Sequence, residues 1–201
     1  LNKSNNTPRG YVYLQKAANA TLELFDITGQ MEYLELNKEL LIEANLVVQG
    51  KNRVNNLLGI SHAEMMLHNF KSALNYSLKA DSLAEQKFGS LMMQYDAAME
   101  LGSYQWADQL LDRARRPGSF DYLVRLAKYK DHMGQLDSAI YYNEEALKVA
   151  ESPEKRNWVT TNLADLYGHA GFINKSFNQY LKALSHDPND YHAIKGITWI
   201  A

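Results

Sequence analysis

One device occurs four times along this chain: two small residues seven positions apart within a run that is otherwise aliphatic and polar. "SALNYSLKA" carries Ala73 and Ala80, "WADQLLDRA" carries Ala107 and Ala114, "SAIYYNEEA" carries Ala139 and Ala146, and "SFNQYLKA" carries Ser176 and Ala183. The leading members are separated by 34, 32 and 37 residues. Small side chains at that spacing recur on one helical face two turns apart, where they let a second helix approach closely. Gly102, Gly134 and Gly171 each stand five residues before the leading small residue, and His68 holds the same place in the first copy. A glycine there reads as the turn between two helices, because only glycine adopts the left-handed conformation without steric cost. Each copy therefore predicts helix, turn, helix.

With the turns as punctuation, the preceding helices are expected over Val54 to Leu67, Phe88 to Leu101, Phe120 to Met133 and Asn157 to Ala170, each about four turns long. In the last copy Leu163, Leu166, Tyr167 and Ala170 recur at helical intervals before Gly171, and Phe177, Tyr180, Leu181 and Leu184 recur after it. The chain has 4 prolines and 11 glycines in 201 residues and no run of alternating β-branched residues, so almost no strand is expected. The fold class read from this is all-α.

At this point the chain resembles the tetratricopeptide repeat (TPR) family, as a bacterial TPR-like protein. The last copy carries Leu163, Ala164, Tyr167, Gly171, Tyr180, Ala183, Leu184 and Pro188 at the family's patterned places, with Thr160 where the family has Trp. The copy from Phe120 keeps Leu123, Leu126, Ala127, Gly134, Ala139, Ala146 and Leu147, with Lys130 in place of the aromatic and no proline until Pro153. The resemblance covers about residues 54 to 201. It implies a right-handed superhelical array of antiparallel helix hairpins, an α-solenoid in which the first helix of each unit lines a concave groove.

The expected organisation is a flexible polar tail over 1–9, a divergent first helical pair over 10–50 that caps the stack, four repeats over 51–190, and the first helix of a further repeat over 191–201. The first pair turns at Gly29, with Pro8 suited to a first helical turn and Gly50 to a stop. Trp199 and Ile200 make an apolar ending where a solenoid normally has a polar cap. The natural protein is therefore expected to continue beyond Ala201, and the truncated end offers a surface for self-association. "LNKSNNTPRG" reads equally as the tether of an exported lipoprotein or as the product of trimming, which leaves cytoplasm and cell envelope both open.

The formal net charge of -2 gives no electrostatic reason to bind nucleic acid or an acidic membrane surface. No apolar stretch approaches the roughly 20 residues that cross a bilayer, so no direct membrane insertion is expected. Absence of cysteine removes disulfides, thiolate nucleophiles and thiolate metal ligands together. No phosphate-cradling glycine motif, HExxH or calcium loop is present. The six histidines are scattered over the repeats at no metal-ligand spacing. Ser61 and His62 are neighbours on a helix and so point about 100° apart, and Glu144 with Glu145 reads as a solvated face. No enzyme, cofactor or metal is expected.

The resemblance places the ligand site in the groove, on first-helix residues not spent on packing. In the first two repeats these are Asn55, His62, Met65, Met66, Met92, Met93, Asp96 and Met99. Methionine is flexible and polarizable and suits surfaces that meet varied apolar shapes, though it fills cores equally well. In the next two the same face becomes polar and modestly basic: Arg125, Lys128, Asp131 and His132, then Trp158, Thr161, Asn162, Asp165 and His169, with Lys195 on the last helix. The expected partner is a protein or extended peptide with an apolar anchor at one end and a carboxylate or acidic residue at the other. Some family members clamp a C-terminal carboxylate with Lys, Asn and Arg over three repeats; here Gly59, Met92 and Thr161 hold neighbouring places, so that clamp is incomplete. The expected function is a non-enzymatic scaffold. The alternative is the sensor or regulatory segment of a larger bacterial signalling protein, a kinase or a transcription regulator.

Overall fold

The computed structural model describes residues 10–200; the stretch read as a tail, Pro8 and Ala201 lie outside the described residues. Regular structure among the described residues is entirely helical. In chain order it comprises α1 (Gly10–Thr28), α2 (Met31–Val47), a 3-10 turn (Gly50–Arg53), α3 (Val54–Met66), α4 (Phe70–Leu83), α5 (Phe88–Glu100), α6 (Tyr104–Arg113), α7 (Phe120–His132), α8 (Leu136–Lys148), α9 (Pro153–His169), α10 (Ile173–His186) and α11 (Tyr191–Ile200). The helices pack as hairpins, α1 with α2, α3 with α4, α5 with α6, α7 with α8 and α9 with α10, while α11 packs on α10 and α9. None is long and apolar enough to cross a membrane.

The turns answer to the punctuation. Gly29, Gly102, Gly134 and Gly171 have φ of 66°, 73°, 69° and 77°, and His68 alone among non-glycine described residues has a positive φ, 58°. In all four repeats the residue after the left-handed one donates its amide to a carbonyl five residues back: Asn69 to Glu64 at 2.8 Å, Ser103 to Ala98 at 2.8 Å, Gln135 to Lys130 at 2.8 Å and Phe172 to Tyr167 at 2.8 Å. This is the Schellman closure, and it satisfies a carbonyl that the helix end would leave bare.

The first helices end one residue earlier than expected, and α9 starts four earlier, at Pro153 rather than Asn157. The reason is local. The Ser152 side chain accepts from the Lys155 amide at 3.2 Å, Pro153 occupies the first helical position, and Glu154 lies in the first turn against the helix dipole.

The chain divides into two compact units, one ending at Ala114 and the other beginning at Arg115. The division falls in "RRPGS", where Pro117 breaks a helix, and α6 before it is short at 10 residues against 13 or 14 for α4, α8 and α10. The first unit centres on Leu14, Ala18, Leu40, Leu41, Ala44 and Ile60. The second holds one cluster of Leu123, Val124, Ala146 and Val159, and another of Ala164, Tyr180, Ala183 and Ala193. Fully burying one such large apolar side chain is worth about 1.5–3 kcal/mol.

The eight small residues that announced the repeat are all buried. Their helices approach closely enough for side chain to meet backbone: Ser61 Oγ donates to the Ala73 carbonyl at 2.8 Å, and Asn143 Nδ2 to the Val159 carbonyl at 3.0 Å. Asn37 Nδ2 likewise donates to the Ala18 carbonyl at 2.6 Å. Glu64, 8% exposed, is a buried carboxylate that accepts from Asn69 Nδ2 at 2.8 Å and Ser72 Oγ at 3.0 Å. Such satisfaction is what makes buried polar groups tolerable.

Candidate functional site

The face offered by the first helices differs between the two units. In the first unit Asn55 and His62 are exposed on α3, and Met65 and Met66 beside them are half-buried. On α5, Met93 and Asp96 are half-buried, but Met92 and Met99 are 3% and 6% exposed. These two are core residues, which corrects their assignment to an open groove. Met92 and Met99 are seven apart and thus share one helical face, and that face is turned inward. Two of the three methionines expected on the open face of α5 are therefore spent on packing.

In the second unit the face is more open. On α7, Lys128 and His132 are exposed and Arg125 is half-buried, its guanidinium donating to the Asp121 carbonyl at 2.9 Å. On α9, Trp158 is 48% exposed and Asn162 and Asp165 are half-buried, whereas Thr161 is buried with its hydroxyl turned back to the Trp158 carbonyl at 2.8 Å. Lys195 is exposed on α11, and its ammonium stands 5.4 Å from the centre of the Tyr191 ring.

Two carboxylate–imidazole pairs tie neighbouring first helices together. His169 Nδ1 on α9 lies 3.0 Å from Asp131 Oδ1 on α7, and His192 Nε2 on α11 lies 2.7 Å from Asp165 Oδ2 on α9. Counted from the glycine turns, Asp131 stands three residues before Gly134 and Asp165 six before Gly171, so the two acids come from different positions of their helices. A carboxylate can only accept, so the imidazole nitrogen facing it carries the proton and the other ring nitrogen is turned away from the pair. Both histidine side chains are 48% exposed.

Asp165 also accepts from the Tyr180 hydroxyl on α10. Burial pushes the Tyr180 phenol well above the usual tyrosine range, and the hydrogen bond and charge of Asp165 push it further. The Tyr180 ring is 2% exposed and lies against Gly196 of α11, where a Cβ would come 2.1 Å from the ring. The absent side chain is what lets α11 seat on α10.

These residues border an open cavity of about 540 Å³ between α9, α10 and α11. Tyr180, Asp165 and His192 form its polar side, Gly196 contributes bare backbone, and His169, Lys195, Tyr191 and Trp199 border it. A second cavity of about 400 Å³ shares His192 and is bordered by Trp158, Asn157, Glu154, Asp187 and Asp190. Among the described residues no group of three His, Asp or Glu side chains converges as a metal site.

The architecture is similar to that of a thermophilic TPR protein from Thermus thermophilus, with a TM-score of 0.77, 18% identity, and 93% of this chain and 98% of that chain covered. The chain has the TPR fold. Two further TPR proteins are similar at greater distance. One comes from Parabacteroides merdae, with a TM-score of 0.60, 16% identity and coverage of 94% of this chain and 72% of that one. The other is YrrB, a TPR protein with an unusual peptide-binding site, with a TM-score of 0.55, 14% identity and coverage of 98% and 94%. No protein-family model and no curated protein sequence matches the chain. The TPR repeats are thus carried here by geometry and the spacing of small residues, with little of the family's sequence.

Sequence reading had selected Asp165, His169 and Lys195 but missed Tyr180, Tyr191, His192 and Trp199 as partners in one cavity. Part of the signal was present: His192 and Lys195 share a face of α11.

Proposed function

We propose that this chain is a non-enzymatic binding module that takes a protein or peptide segment along the first-helix face of its second unit. The observation that carries this reading is the combination on α7, α9 and α11 of exposed side chains: the two lysines Lys128 and Lys195, the imidazole of His169, and the indole of Trp158, which is 48% exposed. An exposed tryptophan with polar neighbours contributes large contact area at low conformational cost, which is what recognition surfaces concentrate. Support also comes from YrrB, whose similar fold holds a peptide-binding site. Met65, Met66 and Met93 with Asn55, His62 and Asp96 form a separate first-helix face in the first unit, where the half-buried methionines supply a smaller apolar contribution.

The test is selection of binding peptides from a random display library on the purified chain, followed by NMR mapping of the selected peptide. Shifts at Trp158, Lys128, Asn162 and His169 are expected. No selected binder, or shifts confined to α8 and α10, overturns the reading.

A further inference from the structure

Resting on the reading of Trp158 as part of a peptide-binding face, we infer that the cavity of about 400 Å³ at the start of α9 receives a primary alkylammonium of the kind a lysine side chain carries. One wall follows from helix geometry. Asn157, Trp158 and Thr161 follow Glu154 by three, four and seven positions, so all four share a face of α9. Asp187 and Asp190 close the other side from the turn between α10 and α11.

The charge of these walls points to a cation. Glu154, Asp187 and Asp190 border the cavity, and no lysine or arginine does. Among the described residues none of the three acids takes part in an ion pair. Their local duties are at chain turns and helix ends. Asp190 Oδ1 accepts from the Ala193 amide at 3.0 Å, and Asp187 Oδ1 accepts from the Asn189 amide at 2.9 Å. Hydrogen bonds from its own amide and from Ser152 hold the Glu154 carboxyl below the usual range. Those duties do not neutralise the acids. The starts of α9 and α11 each carry about half a positive charge, so together they offset about one of the three negative charges. Lys155, next along α9, keeps its ammonium over the Phe120 ring, 4.9 Å from the centre.

The uncharged groups choose among cations. Asn157 gives its Nδ2 to Asp190 Oδ2 at 2.6 Å, and its buried Oδ1 has no donor. A primary ammonium brings three N–H donors to such an oxygen, whereas a quaternary ammonium has none to give. A guanidinium is matched to both oxygens of one carboxylate, but one oxygen of Asp187 and both of Asp190 are already engaged. The Trp158 indole, 48% exposed, offers its face to an alkyl stem and its π surface to the charge at the end of that stem.

The test uses the full chain labelled with nitrogen-15, with the indole signal of Trp158 assigned through Trp158→Phe. The probes are acetyl-lysine methylamide, the same blocked compound built on norleucine, on arginine and on trimethyl-lysine, and n-butylamine. The lysine compound is expected to move the Trp158 indole and Asn157 side-chain signals and to bind about fivefold more tightly than the norleucine compound, with the arginine and trimethyl compounds about threefold weaker than lysine. Raising sodium chloride from about 0.05 M to about 0.5 M should weaken the lysine compound about threefold. Asp187→Asn keeps an oxygen for the Asn189 amide, and it and Glu154→Gln should each weaken lysine about twofold while leaving norleucine unchanged. Should either variant melt lower than the parent, the salt dependence of the parent decides in its place. Tighter binding of the lysine compound than of butylamine identifies a lysine in a protein segment as the source of the ammonium, and equal binding identifies a free amine; both support the inference. Equal affinity for lysine and norleucine, tighter binding of the trimethyl compound than of lysine, no dependence on salt, or shifts that avoid Trp158 and Asn157 overturn it. If library peptides move Trp158 and Lys128 while the lysine compound moves neither Trp158 nor Asn157, this inference falls and the first-helix reading stands; if no library peptide binds while the lysine compound still moves Trp158, the first-helix reading falls by itself.

Discussion

Tyr180 on α10 donates its hydroxyl to the carboxylate of Asp165 on α9, whose other oxygen lies 2.7 Å from His192 on α11. One acid thereby joins three helices of the second unit. Tyr180→Phe removes a donor without changing ring volume, and because Asp165 keeps His192 and some solvent the expected loss is about 1 kcal/mol of unfolding free energy. Urea denaturation of parent and variant measures it; an unchanged midpoint and slope contradict the bond's contribution.

The same phenol predicts an alkaline signature. Its pKa in the folded chain is raised above the unfolded value near 10 by burial and by Asp165, so the folded state holds the proton more tightly. That contribution is complete below about pH 10 and is lost as the pH rises through the folded value. The stability difference between parent and Tyr180→Phe should therefore shrink above about pH 10, while the other tyrosines affect both proteins alike. Denaturation curves from pH 8 to pH 11 decide it, and a constant difference would refute it.

Gly196→Ala places a methyl where the Tyr180 ring already is, 2.1 Å from its nearest atom. Neither a buried ring nor a helix backbone yields cheaply, so the variant should lose about 1–3 kcal/mol. Combining it with Tyr180→Ala should cost less than the sum of the two single changes, since the collision vanishes with the ring. Additive losses in thermal melts would place the strain elsewhere.

Met92→Ala and Met99→Ala each remove a buried side chain and should cost about 2–5 kcal/mol. Met65→Ala and Met93→Ala, at half-buried positions, should cost clearly less. Guanidinium melts of the four single variants give the order, and equal losses would contradict the burial pattern.

His68 holds the left-handed turn conformation that glycine fills in the three following repeats. His68→Gly should raise stability by about 0.5–1 kcal/mol, the backbone gain exceeding the loss of the ring's edge contact with Phe70 at 5.5 Å. A lowered melting temperature would show that the ring contact dominates.

The hairpins were legible in the sequence because their cause is local: Ala73, Ala107, Ala139 and Ser176 each follow a turn residue by five positions, and close packing demands both. The start of α9 was misread because the hydrophobic pattern ends near Asn157, while the helix is carried back to Pro153 by capping that has no periodicity. Met92 was misplaced for a different reason: methionine's composition suits core and surface alike, and only burial separates them. The pairing of Asp165 with His192 spans 27 residues and two helices, and no helical wheel of α9 alone contains it.

Helices in substantial contact within either unit are neighbours in chain order or one helix removed from it. Every native contact of that kind closes a short loop, so the entropy lost before a contact forms stays small. Folding can then nucleate in whichever hairpin first buries its pair of small residues and spread outward one neighbour at a time. Amide exchange should accordingly reveal a graded sequence of openings within each unit, with the α8–α9 contact closed by Asn143 and Val159 among the slowest to let water in.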